Sequence, residues 1–147
     1  MESIALRRGA ASESRAIRDR GASILMIVSA IGALYALASA IGTVTSAGAA
    51  TQQVEVWRMF GFAMFAGVFV LLAVWPRRYP GLWELVIINK AALTVAEVVL
   101  ISNDATNAQS AAIADGILTV FLLAAYVLSR GWTSWSTRRL TQQTAKI

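Results

Sequence analysis

The stretch Val54–Gly81, VEVWRMFGFAMFAGVFVLLAVWPRRYPG, decides the fold. From Val54 to Trp75 it is apolar on every side, apart from Glu55 and Arg58 near its start. A helix on the surface of a water-soluble protein keeps a polar face, whereas one that is apolar all round is surrounded by protein or lipid. About 20 such residues cross the hydrocarbon core of a bilayer. The run ends at Pro76-Arg77-Arg78-Tyr79-Pro80-Gly81. Proline cannot continue the helical hydrogen-bond ladder and restricts the residue before it. The stretch therefore reads as one membrane crossing followed by a basic turn.

Working outward, the same pattern recurs three times. A first apolar helix is expected over about Ala22–Gly48, a third over Leu82–Ile101 and a fourth over Ser110–Ser129. The expected fold is all-α, a four-helix transmembrane bundle at residues 22–129. It is flanked by a loosely ordered basic arm at residues 1–21 and a basic tail at residues 130–147. Ala38-Ser39-Ala40 imitates a signal-peptidase site, but the apolar run around it is too long for a signal-peptide core.

Arginine and lysine outside these helices fall in the arm (Arg7, Arg8, Arg15, Arg18, Arg20), in the turn (Arg77, Arg78) and in the tail (Arg130, Arg138, Arg139, Lys146). The short link Ala49–Gln53 and the loop beginning Ser102-Asn103-Asp104 contain none. The positive-inside rule then places both termini in the cytoplasm and the protein in the cell membrane as a multi-pass chain. Trp75, Tyr79, Trp83, Tyr126, Trp132 and Trp135 are expected at the inner interface and Trp57 at the outer one. The net charge of +5 follows this topology, so nucleic acid is not expected as a partner; membrane lipid is.

Hydrophobic residues make up 57% of the 147 residues, and neither cysteine nor histidine is present. That composition excludes disulfides, thiolate nucleophiles, iron–sulfur clusters and imidazole catalysis. No metal or cofactor is expected. Acid–base chemistry is left to carboxyl groups, lysine, tyrosine or water.

Four ionisable residues fall inside the expected spans: Arg58, Lys90, Glu97 and Asp115. A charge at the centre of a membrane helix costs about 2–4 kcal/mol on insertion scales, so the four should face inward and meet. Helix rise puts Arg58, Glu97 and Asp115 at one level, about 6 Å below the outer boundary, with Lys90 nearly two turns deeper. At 100° per residue, Trp83, Lys90, Thr94 and Glu97 share one narrow stripe of the third helix. The expected pairing is Arg58 with Glu97 and Asp115, while Lys90 bonds carbonyls or Thr94. Glu55 and Asp104 are expected at the outer rim. The arginines of the turn read as topology signals facing solvent.

Two readings of the buried set stand open: an internal scaffold, or a polar pocket for a lipophilic molecule. In the pocket reading Glu97 and Asp115 are the catalytic acid–base groups, and Arg58, Lys90 and Thr94 bind the substrate. The reaction would be an isomerisation, a cyclisation or an epoxide opening. An accessory subunit of a larger membrane complex and a dimeric proton-coupled exporter are the alternatives. Small residues recur at Gly32, Ala36 and Ala40 in the first helix, beside Ser39 and Thr43, and at Ala63 and Gly67 in the second. Such rows permit close helix packing, within the bundle or between two copies.

Arg58-x-x-Gly61, Pro76-Arg77-Arg78 and Asp115-Gly116 together resemble the DoxX-like group of small four-helix bacterial membrane proteins. The resemblance spans the chain from the first helix to the fourth. It implies the fold and no site residue.

Overall fold

The computed structural model describes the backbone of residues 2–103 and 108–136, and side chains from Ser12 onward within those ranges. Asp104, Arg138, Arg139 and Lys146 lie outside the described residues, as do the side chains of Arg7 and Arg8. The elements among the described residues are four helices, α1 (Glu2–Ser46), α2 (Gln52–Val74), α3 (Leu82–Ile101) and α4 (Ala108–Ser129), followed by a 3-10 turn at Gly131–Thr133. Among the described residues there is no strand.

Three helical segments among the described residues are long and apolar enough to cross a membrane: residues 12–46 of α1, α2 and α4. Helix α3 is also 20 residues long, about 30 Å at helical rise, but it carries Glu84, Lys90 and Glu97. Outward faces of all four are greasy. Ile24, Ile27, Ile31, Trp57, Phe60, Met64, Leu85, Ile88, Val95, Ile113, Val120 and Val127 are exposed. Apolar surface on this scale is not left facing water in a soluble monomer; it suits lipid.

The expected loose arm is instead helical from Glu2. Residues 2–21 contain no proline and are rich in alanine and arginine, which are good helix formers. Extending a helix that already exists also avoids the cost of nucleation.

Helix α1 packs against α2 and α4, and α3 packs against α4. Helices α2 and α3, although consecutive, meet through side chains rather than by close backbone approach. The buried stripe of α4 runs Ala108, Ala112, Asp115, Leu122, Ala125 and Ser129, the three-four spacing of one helix face. On α1 the matching stripe is Ala22, Met26, Ser29, Ala33 and Ala40. The small-residue rows are used less than expected. Ala40 is buried, but Gly32, Ala63 and Gly67 face outward, and the two glycines have open space where a Cβ would stand.

The packed core, including Met26, Phe69, Leu72, Trp83 and Leu122, occupies the half of the bundle that bears the α2–α3 turn and the end of α4. Polar contacts seal that end. Arg77 ion-pairs with Asp19 of α1, and its Nε donates to the Ser129 carbonyl of α4 at 2.7 Å. Trp83 Nε1 donates to the Pro76 carbonyl at 2.7 Å, so this tryptophan is a core residue rather than an exposed interfacial one. Glu84 Oε1 accepts from Tyr126 Oη at 2.8 Å and from Trp135 Nε1 at 3.1 Å. Gly131 fits beneath these rings, since a Cβ there would stand 2.4 Å from Tyr126 Cδ2.

Candidate functional site

The opposite half of the bundle is not filled. It contains a cavity of about 570 Å³, a size typical of small-molecule sites. Helix α2 contributes Arg58, Gly61, Phe62 and Phe65; α3 contributes Lys90, Leu93 and Glu97; α4 contributes Ser110, Ala111, Ala114 and Asp115; α1 contributes Ala36. On each of α2, α3 and α4 these positions recur at three- and four-residue intervals, so each helix turns one face to the cavity.

All four charged residues expected inside the spans therefore line one cavity. Their pairing differs from expectation. Lys90 Nζ lies 2.7 Å from Asp115 Oδ1, and both residues are buried. The same ammonium sits 4.3 Å from the centroid of the Phe65 ring, a cation–π distance. The long, flexible lysine stem covers the height difference expected between Lys90 and Asp115. Arg58 pairs with Glu55 on its own helix at 2.6 Å, not with Glu97 or Asp115. Residues three apart on a helix are already neighbours, so this pair needs no alignment between helices.

Thr94 does not reach the cavity. Its hydroxyl donates to the Lys90 carbonyl at 2.9 Å, and its Cγ2 lies 3.6 Å from where a Cβ on Gly116 would stand. It is a contact residue between α3 and α4. The Thr119 hydroxyl similarly donates to the Asp115 carbonyl at 2.8 Å. Each hydroxyl bonds the helical turn beneath it, beside a member of the Lys90–Asp115 pair.

Glu55 Oε2 accepts no hydrogen bond but lies 2.6 Å from Arg58 Nη2, whereas the half-buried Glu97 stands outside both ion pairs. Its Oε2 atom is buried and accepts no hydrogen bond. An unsatisfied buried polar atom costs about 1–3 kcal/mol, more when it is charged. With Glu55 included, the charged residues at the cavity and its rim are two cations and three carboxyl groups, where the sequence suggested two of each. Two ion pairs consume both cations and leave Glu97 over. The three-residue spacing of Glu55 and Arg58 is visible in the sequence; that this pair prevails over pairing between helices is not.

Comparison of the chain with known protein families, with curated proteins and with solved structures finds no match in any of the three.

Proposed function

We propose that this chain is a multi-pass membrane protein whose four helices all cross the bilayer, with both termini cytoplasmic, and that its cavity holds a lipophilic small molecule. One observation carries the reading: charged groups of α2, α3 and α4 line a single 570 Å³ space, and their two ion pairs leave that space unfilled. Ionisable residues within membrane segments mark ligand or ion pathways more often than scaffolds. A mere scaffold would have packed this half as tightly as the other half, with its Phe69, Leu72 and Leu122. Crossing by α3 is reasonable because Lys90 and Glu97 turn inward and Glu84 is bonded by Tyr126 and Trp135 at the end of the bundle.

Within this reading the cavity residues divide the work. Asp115 is held by Lys90, and Arg58 by Glu55, so these groups position and polarise a ligand. Glu97 is the carboxyl group free to exchange a proton with it. Isomerisation, cyclisation or epoxide opening needs one such group at the reacting atom. Of the residues behind the DoxX-like resemblance, Arg58, Gly61 and Asp115 stand on the cavity wall, while Pro76, Arg77, Arg78 and Gly116 do not line it.

Gly61 supplies the test. It lines the cavity, and a Cβ there would meet nothing within 4 Å. Gly61→Phe should fill the space while the helix keeps its stability, because glycine inside a helix is itself unfavourable by about 0.5–1 kcal/mol. Protein purified in mild detergent is extracted with organic solvent, and the extract is examined by mass spectrometry. A hydrophobic molecule present with the wild type and lost with Gly61→Phe is the expected outcome. Identical extracts from two equally stable proteins would count against a ligand cavity.

A further inference from the structure

Charge bookkeeping around the cavity restricts what can enter it. Lys90 is engaged by Asp115 and by the face of Phe65, and Arg58 is engaged by Glu55. An anionic ligand would find the Lys90 charge taken by a buried carboxylate, and at Arg58 it would share a guanidinium whose charge Glu55 already balances. Glu97 is the reverse case, a carboxyl group on the cavity wall with a buried oxygen that accepts nothing. Away from water, an ionised carboxylate is stable only with a counter-ion or several donors. A ligand can bring one.

Phe62 lines the same cavity, as does Leu93, one helical turn before Glu97 on α3. A carboxylate in a cavity that also has apolar walls suits a cation with an apolar body, held by charge at one end and by burial at the other. We propose that the cavity takes lipophilic ammonium ions, molecules whose protonated amine reaches Glu97 while an apolar body lies against Phe62 and Leu93. This rests on the lipophilic-ligand reading above and adds the charge of the ligand to it. The formal balance then closes at three cations and three carboxylates.

Three probes of nearly equal shape separate the possibilities: phenylbutylamine, phenylbutanol and phenylbutyric acid. Their binding to the full chain in phosphatidylcholine nanodiscs is measured at neutral pH by equilibrium dialysis, with empty nanodiscs subtracting lipid partition. The amine should bind on the order of tenfold or more tighter than the alcohol, as expected for a hydrogen bond to a charged group. The acid should bind weakest. Glu97→Gln should bring the amine down to the level of the alcohol and leave the alcohol unchanged. Glu97→Asp, which keeps the charge, should retain the preference for the amine, so the claim stays testable if the amide variant folds poorly. Equal binding of amine and alcohol to the wild type, tighter binding of the acid, or an amine preference that survives Glu97→Gln would overturn the charge assignment alone. Failure of all three probes to bind would take the lipophilic-ligand reading down with it.

Discussion

Lys90 shows how much one side chain can decide. Its ammonium lies between Asp115 Oδ1 and the Phe65 ring, so it joins α3 to α4 and to α2 from one position. Removing it strands a buried carboxylate. Lys90→Met should therefore destabilise the protein by about 3–5 kcal/mol, the usual cost of leaving half of a buried ion pair. Adding Asp115→Asn should recover most of that loss, because no unpaired charge then remains. Chemical unfolding of the single and double variants in detergent measures the coupling. If Lys90→Met alone is as stable as the wild type, the pair contributes nothing. Lys90 was recognisable in the sequence as a charge that had to be compensated. Its partner was not, since the reach of a flexible side chain across an interhelical gap leaves no mark on residue spacing.

At the scale of elements, Arg58 within α2 and Arg77 beyond its end exchange the roles that hydropathy suggests. Arg58, within the apolar run, pairs with Glu55 across one helical turn, and its side chain remains 46% exposed. Such a pair contributes less than about 1 kcal/mol. Arg77, in the turn after α2, holds Asp19 of α1 and the last carbonyl of α4 together. Three elements meet on that guanidinium. Arg77→Ala should consequently cost about 1–2 kcal/mol, as for a partly exposed charged hydrogen bond, and more than Arg58→Ala. Melting temperatures of the two variants in one detergent decide it, and the reverse order would remove Arg77 from the list of structural residues. The third helix follows its sequence closely. Its bounds, Leu82–Ile101, are those expected, and Trp83, Lys90, Thr94 and Glu97 lie on its inward side because helical periodicity is a local property.

For the whole molecule, core and cavity occupy opposite ends of one bundle. The half with Met26, Phe69, Leu72 and Leu122 is packed and sealed by Arg77, Trp83 and Glu84. The other half gathers polar groups around open space. If all four helices cross the bilayer with both termini inside, the packed end is cytoplasmic and the cavity lies toward the outer leaflet. A reporter that functions only in the cytoplasm should work in fusions made after Arg78 and after Arg130, and be silent after Asn107. Activity after Asn107, or silence after Arg78, would contradict four crossings with both ends inside.

By itself the sequence determined the all-helical character, the places where helices stop, and the inward stripe of α3. Those follow from composition, from proline and from a 3.6-residue repeat, all of which act over a few turns of chain. It also marked Arg58, Lys90, Glu97 and Asp115 as charges that needed an explanation. Only the tertiary structure decided which charges pair across helices. With α1 lying between α2 and α4, and α3 packed on α4, Asp115 comes within reach of Lys90 while Arg58 turns to Glu55. Glu97 is left facing a cavity without a partner, because two cations cannot neutralise three carboxylates and interhelical geometry chooses which one is omitted.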